Sequence, residues 1–313
     1  MIKKIYGKHT FYFSLLTIAL SIIVLITKGN LEFSNGLVIP LICLFLILSI
    51  GISHGAMDNY KAKKLLVIYK IRNQSVFYII YILISAFVIL FWNLYSSLTL
   101  LFFLIVASYH FGREDTSFLH SGNSNLDQLL YLIKGSLIVF SPLFFHFDET
   151  LKIFETLLLN EKILIFLDDE HWVINIFLGL GFLGYFYFVH KNKYKDFEIL
   201  LLDMLCILIL NYILTPLIAF TIYFCFLHSI RHIISISCEL DPDNFFEGIK
   251  VFIKKALPLT IVTMIIYFLA IIFLSNSYGL NDVIIKVIFI GLASLTFPHI
   301  LLEYLIEKNE KRN

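Results

Sequence analysis

Five histidines, His54, His110, His228, His232 and His299, interrupt stretches of sequence that are otherwise apolar. An ionisable ring is costly to place in lipid, and where one is retained it marks a site. His228 and His232 are spaced i, i+4, so both rings leave one helix face about one turn apart. Two imidazoles from one helix, joined by others from neighbouring helices, is how helical bundles assemble metal sites. Neutral imidazole suits iron, zinc or copper. Any one of these histidines alone is more simply a cross-helix hydrogen-bonding group; the set together favours a metal. Carboxylates stand nearby. Asp58 follows His54 by four residues and Glu303 follows His299 by four, so each can share a face with its histidine. Glu114 and Asp115 close the run that carries His110. Such acids take the second N–H of a ligating histidine and fix its tautomer, although at Glu114 and Asp115 a solvated helix end is an equal reading. Arg231, between the paired histidines, needs an acid or a route to the surface, and the sequence assigns it neither. Gly51, Gly55 and Gly112 would let helices approach closely, and Pro298 loosens the helix just before His299.

The elements that position these residues follow from composition. The 313-residue chain is 59% hydrophobic and 15% charged, with a mean hydropathy of +0.87. Soluble domains carry about 25% charged residues, so this chain is solvated mostly by lipid. A net charge of +1 gives no electrostatic footprint for nucleic acid. Cys43, Cys206, Cys225 and Cys238 form no CxxC pair, which sets aside disulfide scaffolds and thiolate zinc sites. Runs approaching the ~20 residues that a bilayer core requires lie near 11–27, 38–56, 75–93, 97–112, 128–146, 172–189, 198–214, 216–237, 257–274 and 283–305. The expected fold is an all-α polytopic membrane helix bundle of about ten transmembrane helices. It forms a single integral membrane domain over 1–313, with a histidine-bearing core at about 38–305 and an extra N-terminal span at about 11–27. The count is least defined between 150 and 240, where only Thr215-Pro216 separates two runs. The stretch 150–168, interrupted by Lys152, Glu155, Glu161 and Lys162, reads as an interfacial segment.

Lys3, Lys4 and Lys8 precede the first run, yet no small-x-small cleavage motif follows before Lys28, which favours a retained anchor. Basic residues gather at alternate connections: Lys3 to Lys8, Lys61 to Arg72, Arg113, Lys191 to Lys195, Lys250 to Lys255 and Lys308 to Arg312. The opposite connections hold only Lys28, Lys152, Lys162 and Lys286. This bias places both termini in the cytoplasm and the bundle in the cell membrane. In that topology the five intramembrane histidines fall in the inner halves of four helices running the same way, so the metal site lies toward the cytoplasmic side. His9, His120, His146, His171 and His190 sit at run ends among polar neighbours and read as solvated or interfacial.

Four segments, HGAMD (His54 to Asp58), YHFGRED (Tyr109 to Asp115), FLHSIRH (Phe226 to His232) and FPH (Phe297 to His299), together resemble the Brp/Blh family. These are bacterial and archaeal membrane β-carotene 15,15′-dioxygenases associated with rhodopsin systems, and the likeness runs from about residue 50 to 300. The resemblance implies Fe(2+)-dependent cleavage of the central 15,15′ double bond of β-carotene by O2, giving two all-trans-retinal, with a functional link to a retinal-binding rhodopsin. It carries iron ligation onto His54, His110, His228 and His232. His299, Asp58, Glu114, Asp115 and Glu303 are left to ligand support or the substrate pocket. Four imidazoles around iron would leave one or two positions of an octahedron open for dioxygen, and the 32 Phe and 17 Tyr could line a channel for a long polyene. The chain departs from the family pattern at Met57 and Asn59, where Leu and a further histidine are more usual; the second departure bears on the surroundings of the ligands. The alternatives are a b-type haem electron-transfer protein and another membrane non-haem iron lipid oxidase. The latter generally needs several HxxxH and HxxHH clusters, and one HxxxH is found here. A transporter would favour mid-membrane carboxylates and helix breaks, and a retinal-binding pump is set aside because no lysine is read at mid-span.

Overall fold

The computed structural model describes residues 2–27, 36–116, 124–191 and 196–310. His120, Lys28, Lys193, Lys195, Lys311 and Arg312 of the sequence reading lie outside them. Among the described residues all regular structure is helical, as a chain in lipid requires when every backbone group must find an internal partner. The helices are α1 (Ile2–Ile26), α2 (Val38–Leu46), α3 (Asp58–Ile68), α4 (Ser75–Leu94), α5 (Ser96–Glu114), α6 (Asn125–Phe145) and α7 (Phe147–Thr156). They continue as α8 (Glu161–Asp169), α9 (His171–Lys191), α10 (Phe197–Ile213), α11 (Pro216–Ile222), α12 (Ile230–Leu240), α13 (Phe245–Leu274) and α14 (Leu280–Glu310).

Nine helical stretches among the described residues are long and apolar enough to cross a bilayer, with α2 to α3 and α11 to α12 each counting as one. The remaining expected run, 198–214, is α10, whose 17 residues lie against α1 and rise about 26 Å. Pro216 opens α11 at its first turn, where its missing N–H is harmless, and so separates α10 from the next span. The stretch 150–168 forms the short helices α7 and α8, as its charge pattern suggests.

The α11–α12 span is the axis of the bundle. It is 72% buried, against 11% for the outer α4 and α13. Three other helices, α5, α6 and α9, approach one another backbone to backbone. A Cβ added at Gly112 of α5 would run into the Tyr131 carbonyl of α6, and one at Gly135 of α6 into the Ser108 carbonyl of α5. At Gly184 of α9 a Cβ would stand 2.7 Å from the Lys134 nitrogen. Gly51 is equally confined, since a Cβ there would stand 2.6 Å from the Phe224 ring, whereas the space beside Gly55 is open.

The N-terminal helix is tied to the axis by polar contacts. Tyr6 donates its hydroxyl to the Arg231 carbonyl (3.2 Å), and His9 Nε2 donates to the Phe226 carbonyl (2.8 Å). Arg231, only 2% exposed, forks onto Asp203 of α10 (2.6 and 2.7 Å) and also donates to Thr10 (2.6 Å). Arg231 thus has its acid, and His9 is part-buried. Lys134 corrects a further expectation. It stands midway along α6, is 1% exposed, and holds its ammonium 4.4 Å over the Tyr185 ring, so the bundle does contain a mid-span lysine.

Candidate metal centre

Two helical irregularities place the histidines. After α2 the chain forms a π turn, Ile47–Gly51, then a 3₁₀ turn, Gly55–Met57, before α3 begins. The axis carries a second π segment, Tyr223–Ser229, which holds His228. Such π segments are rare and recur at functional sites. The two meet, since Ser229 donates to the Gly51 carbonyl at 2.9 Å. The break after α2 also alters an expected pairing. Because the chain between His54 and Asp58 is not a regular α-helix, Asp58 turns away from His54 to His299 of α14 (2.8 and 2.9 Å to Nδ1).

The five histidines of the apolar runs lie in one cluster. Ring centroids lie 5.6 Å apart for His54 and His228, 4.9 Å for His54 and His232, and 5.5 Å for His54 and His299. His110 is 5.1 Å from His228 and 5.3 Å from His299, and His232 is 5.7 Å from His299. All five are buried. His54 Nδ1, His228 Nε2 and His299 Nε2 have no hydrogen-bond partner. Buried polar atoms left without partners are costly, and several imidazole nitrogens gathered at one place fit a borderline transition-metal ion. The residues present therefore fit a bound metal.

Carboxylates hold the rings from behind. Asp115 Oδ1 lies 3.0 Å from His228 Nδ1, and its Oδ2 accepts from the Tyr223 hydroxyl at 2.6 Å. Asp115 follows the end of α5. Burial pushes its carboxyl up, but the His228 hydrogen bond and the nearby Lys134 and Arg231 charges outweigh this and hold it well below the ordinary carboxylate range. Asp58 is supported in the same way by the Tyr81 hydroxyl (3.1 Å), which also reaches the Leu295 carbonyl (3.2 Å). On the opposite flank Glu114 Oε2 is 3.3 Å from His232 Nδ1, and Glu303 Oε1 is 3.6 Å from His299 Nε2. Lys61 reaches into this flank, 2.9 Å from Glu303 and 3.2 Å from His232 Nε2.

The cluster therefore has two unlike sides. Phe111 stands 4.8 Å from His228 and 5.9 Å from His110, and Phe224 stacks on His228 at 5.8 Å. Glu114, Glu303 and Lys61 form the other side and are only partly buried. Sequence reasoning did not single out Lys61, Tyr81, Tyr223, Phe111 or Phe224. Asn59, the departure from the family pattern, points outward to Tyr78 (3.2 Å) and leaves the cluster untouched. Met57 is fully buried beside Ile236 and Phe252 as an ordinary core residue.

A family described as beta-carotene 15,15′-dioxygenase matches residues 45–307 of the chain. The Beta-carotene 15,15′-dioxygenase of uncultured marine bacterium 66A03 is 26% identical over 272 residues, covering 86% of this chain and 94% of that protein. No solved structure matches the chain.

Proposed function

This chain belongs to the beta-carotene 15,15′-dioxygenase family, and on that premise we propose that it splits the central double bond of β-carotene with O2 to give two molecules of all-trans-retinal. Both oxygen atoms then end in the two aldehydes, and no other reductant or oxidant is needed for the balance. We assign iron(II) to the histidine cluster, with His54, His110, His228 and His232 as ligands; the observation that carries the assignment is the gathering of these buried rings, centroids 4.9–5.6 Å apart in the pairs that link them. Iron(II) held there supplies the electron chemistry that lets dioxygen react with a closed-shell polyene.

The protein's own residues do the remaining work. Asp115 accepts a hydrogen bond from the His228 Nδ1–H and keeps the proton there, which leaves Nε2 as a lone pair for the cluster. Tyr223 in turn fixes that carboxylate through its hydroxyl. Phe111 and Phe224 pack on His228 and exclude water from that side of the cluster. Glu114, Glu303 and Lys61 close the other side, which the lysine bias along the chain assigns to the cytoplasm. A b-type haem reading is disfavoured because the imidazoles touch one another and leave no slot for a porphyrin. Substrates in this reading are β-carotene and O2, the solvent is membrane lipid, and a retinal-binding rhodopsin is the natural recipient of the product.

Bacteria engineered to accumulate β-carotene test this directly. Expression of the chain should bleach their orange colour and yield retinal. Alanine at His54, His110, His228 or His232 should abolish cleavage by at least about 100-fold while the protein still inserts. Colour that persists with well-inserted wild-type protein would show that β-carotene is not the substrate.

A further inference from the structure

We propose that His299 is itself a ligand of the metal, a fifth imidazole beside the four assigned above, with Asp58 as the carboxylate that orients it. The inference rests on the metal-centre reading of the preceding subsection. His54, His110 and His299 each offer one nitrogen such that all three lie within 4.8 Å of one another, and all three residues are buried. Nitrogens bound to one ion at ~2.1 Å lie at most about 4.2 Å apart, so an adjustment of less than about 1 Å would close this trio. Each member comes from a different element: the break after α2, α5, and α14.

The hydrogen bonding of His299 points the same way. Its Nδ1 lies 2.8 and 2.9 Å from the two oxygens of Asp58. A carboxylate in that position keeps the ring proton on Nδ1 and leaves Nε2 as a lone pair. That Nε2 is buried without a hydrogen-bond partner, and Glu303 Oε1 at 3.6 Å stands beyond hydrogen-bond reach. His228 with Asp115 repeats the arrangement: a carboxylate behind the ring and an unpartnered nitrogen in front. His232, in contrast, has Lys61 3.2 Å from Nε2 and Glu114 3.3 Å from Nδ1. By this geometry His299 has at least as strong a claim to the ion as the histidine one turn beyond His228. The rival role is an imidazolium paired with Asp58 and Glu303 that only supports the cluster.

Cobalt(II) alone, titrated into the purified full-length protein in detergent, separates the two roles by its d–d absorption bands and by metal content. The wild-type protein should bind cobalt with resolved visible bands. His299→Ala should weaken binding by at least about 100-fold and shift the bands, and millimolar imidazole should restore both. Asp58→Asn, which disturbs only the orienting acid, should weaken binding about 10–100-fold with the bands nearly in place. If His299→Ala does not yield a monodisperse protein, His299→Gln takes its place with the same expected band shift. A folded His299 variant with wild-type cobalt affinity and spectrum overturns the proposal and leaves the four-histidine reading standing. A wild-type protein that binds neither cobalt nor iron overturns both.

Discussion

A buried carboxylate behind a histidine has two tasks, to hold the ring at its angle and to keep the proton on the far nitrogen. Asp115 does both for His228 and is itself fixed by Tyr223. Asp115→Asn retains size and one acceptor oxygen but no longer favours a single tautomer. It should lower metal affinity about 10–100-fold in a titration of the purified protein, with little change in helical circular dichroism. An unchanged affinity would mean that His228 does not bind the metal through this arrangement. Much of this site was legible in the sequence. Five imidazoles in apolar runs are conspicuous because lipid tolerates them poorly, and the nearby acids could be noticed for the same reason. Which acid serves which ring was not legible. Asp58 sits four residues after His54 yet serves His299, because an irregular turn separates the first pair and only tertiary structure brings the second together. Tyr81 and Tyr223 were hidden among 17 tyrosines, and Lys61 reads along the chain as a topology signal although its ammonium reaches Glu303.

At the scale of helices, the glycine contacts decide where His110 stands. Ser108 and Gly112 bracket it on α5, and Gly135 of α6 presses against the Ser108 carbonyl. Gly135→Ala must push α6 outward and carry the His110 turn with it. Overpacking of this kind destabilises by about 1–3 kcal/mol or more, so the variant should unfold at a lower temperature in detergent and bind metal more weakly. If it melts like the wild type, the two backbones do not approach so closely. The N-terminal helix offers a separate test. It precedes the family match at residues 45–307, yet Thr10 joins Asp203 in satisfying Arg231 beside His232. Asp203→Ala removes the carboxylate that offsets this buried guanidinium, which should cost about 3–5 kcal/mol and show as a clear drop in melting temperature. The helices themselves were readable from runs of apolar residues, including the break at Thr215-Pro216. The Arg231–Asp203 pairing was not, since a lone acid in an apolar run gives no sign of which helix it will face.

For the whole molecule the open quantity is orientation, since length and hydropathy set how many helices cross but not which end faces the cell interior. In the proposed orientation, which rests on the lysine bias, the Lys61–Lys64 end faces the cytoplasm. That end carries the partly exposed Lys61 and Glu303 flank of the cluster, so orientation also fixes the compartment from which an ion reaches the histidines. Lys63 and Lys152 are both exposed and lie on connections assigned to opposite faces. Cys43, Cys206 and Cys225 are buried, so replacing the half-buried Cys238 by serine leaves a quiet background for thiol labelling. In that background a membrane-impermeant maleimide should label Lys63→Cys in inside-out vesicles and not in right-side-out ones. Lys152→Cys should show the reverse. The opposite pattern would turn the acidic flank to the exterior and make metal loading depend on the external ion. Labelling of both positions from one face would break the helix count between α3 and α7, because an odd number of crossings must separate sites on opposite sides of the membrane.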